Sequence, residues 1–492
     1  IETEILRKKL EDQEAKLEEK KNVILNKSKE EALNIIKEAK ELSNEIIKEL
    51  RRLEEQSLTD KNKTIENTKE KLKDYESNIE EALYKSSNSK SCMFLKKVVL
   101  VFTLSIFSFS LFSQSEGKED GFKIGGAVRY NLLSTNYESG GSKFNPQMTW
   151  DTWRLNVDGS LSGIDLSFEY RFYPTSDTHF LHHGYLGYAF SDNVYMKLGV
   201  SQVPFGIPGF ASHSWFFQVP YYVGLEDDYD MGISFDLKPA PALDLSLAYF
   251  RQAEPAGPGA DPLAGRYSYD IIPGNGAFVN SEGEVVANVP ANLTELNQFN
   301  ARLVWHFTDS WQVGVSAQAG ENYNSMLDKS KLSTAFAGHI VGDFGGFNLK
   351  AEVIRYDYNA LGDEGQELDV VPMGAYGFGY GGGEGYTGGV ASKANIYVVG
   401  LAYTIPVNWG PVTSIQPYID YSMVDKDVDV FHDTHFLVPG MLITAGPVYT
   451  YIDYAMGKNQ PWLTDSFGKG LGSGIEDPKW NSRFNVNMGY YF

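Results

Sequence analysis

Residues 164–172 read Ile164, Asp165, Leu166, Ser167, Phe168, Glu169, Tyr170, Arg171, Phe172, a strict alternation of apolar and polar side chains. In an extended strand successive side chains point to opposite faces, so one face of this segment meets an oily phase and the other meets water. The alternation recurs at Val194, Met196, Leu198, Val200; at Met231, Ile233, Phe235; at Phe299, Ala301, Leu303, Trp305, Phe307; and at Tyr397, Val399, Leu401, Tyr403. The chain ends on one more, with Phe484, Val486, Met488, Tyr490 and Phe492 facing one way and Arg483, Asn485 and Asn487 the other.

A soluble sandwich also alternates, so connection lengths must decide. Short links at Leu161 to Gly163, Ser191 to Asn193, Thr308 to Ser310 and Gly345 to Gly346 interleave with long ones at 131–147, 202–227, 252–297, 359–394 and 457–482. Short turns at one end and long loops at the other are the pattern of a transmembrane barrel. The spacing predicts strands over 122–130, 150–158, 164–173, 183–190, 194–201, 230–236, 244–251, 298–307, 311–319, 331–343, 347–357, 395–405, 415–423, 435–444, 448–456 and 483–492. That makes an all-β antiparallel barrel of about sixteen strands, wide enough for an aqueous lumen. A bulge is expected near Val353, where apolar parity switches from Leu349 and Ala351 to Tyr356 and Tyr358.

Composition divides the chain. All 48 Gly and all 20 Pro lie after residue 116, and the net charge of -21 belongs to residues 116–492, since residues 1–115 are neutral. The sole cysteine, Cys92, precedes the barrel, which excludes disulfides, Cys-ligated metals and thiol catalysis there. Residues 1–92 are rich in Glu, Lys, Leu and Ala without a breaker, and Leu25, Ala32, Ala39, Ile46 and Leu53 recur at intervals of seven. Such a seam predicts an all-α coiled coil. Its stretches Glu30 to Ala39 and Asn44 to Leu50 resemble the helical arm of MutS-type DNA-repair ATPases; the other reading is a solvated coiled coil of mixed charge.

Residues 93–115 have the anatomy of a secretory signal peptide: Met93, Lys96 and Lys97, an apolar run from Val98 to Phe112, then Ser113, Gln114, Ser115. A signal in that place predicts that Met93 is the natural start, that residues 1–92 come from a fused or misjoined reading frame, and that the barrel over 116–492 is exported to an outer membrane. A third possibility gives the coiled coil a nucleic-acid or assembly role in a chain that persists at full length.

His183, Gly184, Tyr185, Leu186, Gly187, Tyr188, followed by Leu198, Gly199, Val200, Ser201, Gln202, Val203, Pro204, Phe205, Gly206, resemble the phosphate-selective porin O and P family over residues of about 117–492. The resemblance implies a sixteen-stranded, usually trimeric channel for small solutes or inorganic anions. It implies a third outer loop, here about 202–227, that folds inward to narrow the pore, with Pro204, Phe205 and Gly206 launching it. The last strand, with Tyr490 and the terminal Phe492, resembles the signal read by outer-membrane barrel-assembly machinery. No nucleic-acid partner and no cofactor are implied for the barrel.

Anion selectivity in that family depends on lumenal arginines, because cations along a low-dielectric channel concentrate anions. Parity places Arg129, Arg154, Arg171, Lys197, Arg302, Lys350 and Arg483 inward, together with Asp158, Asp165, Glu169, Glu352 and Asp420. With eight arginines in the barrel region and a large acidic excess, only weak anion preference is expected. Other acids, among them Glu226, Asp227, Asp228, Asp230, Asp363, Glu364, Asp427 and Asp429, are expected as solvated outer-loop charge, with divalent-cation binding the alternative.

His179, His182 and His183 are not expected to hold a metal, since alternation puts His182 and His183 on opposite faces. His213 and Ser214 lack an orienting partner in the sequence, so no catalytic centre is expected. The functional expectation is a passive outer-membrane diffusion channel and not an enzyme. The competing expectation is a surface adhesin or receptor using the Gly-rich loop 372–389.

Overall fold

The computed structural model describes residues 120–137, 146–254, 266–375, 378–380, 388–464 and 469–492. The coiled coil of 1–92, the signal peptide of 93–115 and part of the Gly-rich loop fall outside the described residues.

Sixteen antiparallel staves close on themselves. They are β1 (Gly121–Thr135), β2 (Gln147–Leu161), β3 (Ile164–Tyr173), β4 (Thr178–Ser191), β5 (Val194–Gln202), β6 (Tyr229–Ala240), β7 (Leu243–Ala253) and β8 (Leu293–Thr308). Then come β9 (Trp311–Asn324), β10 (Lys329–Phe344), β11 (Phe347–Asp357), β12 (Lys393–Tyr403, continued by Ile405–Trp409), β13 (Val412–Lys426), β14 (Thr434–Ala445), β15 (Val448–Lys458) and β16 (Asn481–Tyr491). Each stave pairs with its sequence neighbours, and β1 closes the ring on β16, from Ala127 opposite Tyr491 to Thr135 opposite Arg483. Every strand expected from the sequence is a stave. Closure leaves no unpaired strand edge, the condition for a sheet to stand in lipid.

The tight ends are hairpins of the primed type. Ser162 and Gly163 between β2 and β3 have φ of 53° and 79°, and Gly345 and Gly346 between β10 and β11 have 57° and 88°. Positive φ at both turn residues matches the right-handed strand twist.

Outward positions are apolar and exposed, such as Ile124, Met148, Leu186, Phe299, Val315 and Phe336. Aromatic rings gather on the outer face near the short turns: Trp311, Phe344, Phe347 and Tyr403 form a chain of ring contacts, with Tyr188 against Phe190 and Trp305 against Phe307 elsewhere at that end. A girdle of this kind belongs at a membrane interface. Among the described residues no helix is long and apolar enough to span a membrane.

The interior is partly filled. Loop 203–228 turns inward, and its Phe205, Phe216, Val219, Tyr221 and Leu225 form one buried cluster with wall residues Ile354, Tyr356, Ile396, Val424 and Phe436 and with loop residues Tyr267 and Tyr269. This cluster corrects the bulge expected near Val353. Register runs unbroken along β11 against both neighbours. Val353 faces out, while Ile354 and Tyr356 continue the inward series of Lys350 and Glu352. Parity never switches; the inner face becomes apolar because a loop packs on it.

Candidate functional site: the inward loop and the charged wall

The loop leaves β5 through Pro204, Phe205 and Gly206. Gly206 adopts φ of 58°, a conformation that favours glycine, and a Cβ there would lie 2.2 Å from a Glu352 carboxylate oxygen, so the Glu352 side chain would have to move aside for any larger residue. Its amide donates to Ser316 Oγ at 3.1 Å, and its carbonyl accepts from Arg302 Nε at 2.8 Å. From there the loop crosses to the opposite wall. Lys350 Nζ donates to the carbonyls of Phe210 (2.6 Å) and Ser212 (3.1 Å). The amides of His213 and Ser214 donate to Asp420 Oδ2 at 2.7 and 2.9 Å, and His213 Nδ1 lies 2.7 Å from Asp420 Oδ1. Val219 N donates to Ser422 Oγ at 3.1 Å, and the Tyr358 hydroxyl donates to the Val223 carbonyl at 2.6 Å. The Arg483 guanidinium lies 5.4 Å from the centroids of both Trp215 and Phe216.

Arg302 and Lys350 therefore face inward, with Arg302 Nε and the Lys350 ammonium on loop carbonyls. His213 does have an orienting carboxylate, correcting the expectation that it had none; Asp420 stands 207 residues away, and no local spacing could reveal it. The arrangement is a latch. His213 Nε2 meets Asn348 Oδ1 at 2.7 Å, and Ser214 Oγ donates to the Phe216 carbonyl.

The wall that the loop does not latch to carries the other charges. Arg129 Nε lies 2.7 Å from Asp151 Oδ2, Arg171 pairs with Glu169, and Arg154 stands 4.0 Å from the same Glu169. Asn156 also donates to Glu169, at 2.5 Å, and the Arg171 guanidinium lies 4.6 Å from the centroid of Tyr267. Asp151 was not singled out in the sequence; a register shift beside Arg129 turns it inward, between the outward Trp150 and Trp153. Lys197 pairs with Asp236 at 2.8 Å, Asp165 accepts from the Tyr195 hydroxyl, and Asp158 accepts from Ser167. Lys197, Arg302, Asp236 and Asp244 line a cavity of about 390 Å³ beneath Pro204. Tyr490 and Phe492 lie on the outer face, and the Phe492 backbone pairs with Gly126.

Two further expectations are corrected. A register shift in β4 turns His182 and His183 to the same side, with their Nδ1 atoms 2.9 Å apart and both rings against Tyr229; His179 contacts the outward Tyr170 instead. Secondly, Glu226, Asp227, Asp228 and Asp230 are buried at the loop's root and not solvated. Burial and the nearby Glu352 and Asp227 push the Glu226 carboxyl well above the usual range, although the Ala211 amide donates to it. Burial likewise raises Asp227, opposed by the Tyr267 hydroxyl that donates to it at 2.6 Å.

No protein-family model and no curated protein matches the sequence. Among solved structures, the chain is similar to an anion-selective porin from Comamonas acidovorans, at 12% identity over 76% of this chain and 100% of that one, with a TM-score of 0.46. It is similar to the outer membrane channel DcaP of Acinetobacter baumannii, at 12% identity over 77% and 99%, with a TM-score of 0.46. It is also similar to Salmonella typhi OmpF in complex with daunomycin, at 10% identity over 76% and 98%, with a TM-score of 0.49.

Proposed function

We propose that residues 116–492 form a passive diffusion channel of an outer membrane, working as a homotrimer and passing small hydrophilic solutes or ions with weak anion preference. One observation carries the reading: a closed sixteen-stave barrel with an apolar outer face holds an inward loop latched to one wall and paired charges on the wall opposite. A barrel of about this size is too wide for wall side chains to fill. The loop then sets the free cross-section, and Arg129, Arg154 and Arg171 set the charge that a passing ion meets. Export through the segment beginning at Met93, with removal of residues 1–115, belongs to the same proposal.

Planar-bilayer recording on the purified protein tests it. Stable conductance steps in multiples of three support the trimeric channel. A correctly folded barrel that does not conduct would sink the proposal and favour a receptor or adhesin.

A further inference from the structure

Five carboxylates gather where the inward loop and β6, β7 and β8 meet at the long-loop end. Asp228, Asp230, Glu254 and Asp270 are buried, and Glu295 is half-buried. Carboxylate oxygens of Asp228, Asp230 and Asp270 lie within 4.8 Å of one another. Arg266 is paired into the group, with Nη1 2.9 Å from Asp270 Oδ2. Five carboxylates against one guanidinium leave four negative charges if all are ionised.

Some of the oxygens have donors. Gln298 Nε2 donates to Asp230 Oδ2 at 3.0 Å, and the Ser268 amide donates to Glu254 Oε1 at 2.8 Å. Others do not: Asp228 Oδ1, Asp230 Oδ1 and Glu254 Oε2 are buried without any hydrogen-bond donor, and Asp230 is only 2% exposed. A buried anionic oxygen with no partner is costly, and like charges beside it raise the cost. Either protons or a cation must neutralise the group.

We propose that this group is a structural calcium site, with Asp228, Asp230 and Asp270 supplying the coordinating oxygens. The donor set is entirely oxygen, which suits a hard cation and not a soft transition metal. Calcium–oxygen bonds of about 2.3–2.6 Å bring ligand oxygens on opposite sides of the ion to roughly 5 Å apart, in keeping with the spacing seen. Magnesium is the poorer fit, because it demands near-ideal octahedral geometry at about 2.0–2.1 Å and gives up its waters reluctantly. The consequence is mechanical. Asp228 closes the inward loop through its carbonyl, which accepts from the Val203 amide at 2.8 Å, and Asp270 belongs to the separate loop that follows β7. A shared calcium ties the root of the inward loop to that second loop.

The test uses the full chain in detergent, stripped with EGTA, equilibrated with millimolar calcium, desalted and assayed for metal. About one calcium per chain is expected for the parent and for Asp429→Asn, which alters an exposed outer-loop acid, and it should be lost in Asp228→Asn/Asp230→Asn. Calcium should also raise the thermal midpoint of the parent and leave that of the double variant unmoved. A parent that retains no calcium, or a double variant that retains as much as the parent, overturns the proposal; the first outcome assigns neutralisation to protons and the second assigns calcium to surface acids. Should the double variant not fold, terbium luminescence on the parent, sensitised by Tyr229 between Asp228 and Asp230 in the chain, gives an independent readout. A signal displaced by calcium is expected, and its absence overturns the proposal.

Discussion

Replacing Arg129, Arg154 and Arg171 together with Ala tests whether the β1–β3 wall sets ion preference. In the parent, the three guanidiniums face Asp151 and Glu169, so the set carries a net charge of about +1 (three less two). A unit charge roughly 6 Å from a passing ion is worth about 0.7 kcal/mol in water. Screening over a Debye length of ~8 Å reduces that to about 0.3 kcal/mol. Anion and cation respond with opposite sign, so a net +1 gives a permeability ratio of roughly 3 in favour of anions. The triple variant leaves Asp151 and Glu169 alone, a change of three charges and about 1 kcal/mol for each ion, so the ratio should move by about 30-fold toward cations. Zero-current potentials in a potassium chloride gradient read this directly. Because the triple variant strips Glu169 of its cations, Arg154→Ala alone is the companion; its nearest carboxylate is 4.0 Å away, and it should shift the ratio about 3-fold. A parent that already strongly favours cations, or a triple variant that shifts nothing, would refute the role given to these arginines.

Three other perturbations probe the loop and its root. Asp420→Ala removes the acceptor of the His213 and Ser214 amides; two orphaned donors at ~1–3 kcal/mol each should loosen the segment around Trp215, seen as noisier and larger single-channel conductance. Unchanged conductance and noise would show that the other latches suffice. Gly206→Ala forces a Cβ against the Glu352 carboxylate at positive φ and should cost at least ~1 kcal/mol; a thermal midpoint equal to the parent's would mean that the launch point is not constrained. Finally, burial raises the Glu226 and Asp228 carboxyls above their unfolded values, with Asp270, Glu254 and Glu295 adding to the effect at Asp228. The folded chain then holds protons that the unfolded chain has released, so the stability these groups contribute is full below about pH 4 and is lost as pH rises through the raised values. In chelator, the thermal midpoint should fall as pH rises above the ordinary carboxylate range, and calcium should flatten that slope; a midpoint that rises with pH there contradicts the burial argument.

What the sequence discloses depends on whether a residue's role is set by its own strand or by a distant one. The strands could be read because alternation between lipid and interior acts on each stave alone: Leu166 and Phe168 face out whatever the remaining staves do. Inward placement of Arg154, Arg171 and Lys350 follows from the same local rule. Their partners do not. Nothing near Lys350 indicates that the carbonyls of Phe210 and Ser212 occupy it, and nothing near His213 points to Asp420. Where a strand gains or loses a residue against its neighbour, as beside Asp151 and His182, parity fails at that residue while the strand itself remains recognisable.

The acids show most clearly why net charge is a poor guide to the interior of this barrel. A chain with 64 acidic and 43 basic side chains reads as a cation-attracting one if charges act wherever they fall. Yet Glu226, Asp227, Asp228 and Asp230 are buried at the root of the loop, and burial raises the Glu226 and Asp228 carboxyls. On the proposed function, an ion in the lumen would respond instead to charges within about one Debye length, and on the β1–β3 wall these are Arg129, Arg154 and Arg171 against Asp151 and Glu169. A preference set by so small a difference would be easily shifted. One substitution on the wall, such as Arg154→Ala, should outweigh removal of several outer-loop acids such as Glu364 or Asp429; if neutralising those two acids moves the zero-current potential more than Arg154→Ala does, control lies at the long-loop mouth and not at the wall.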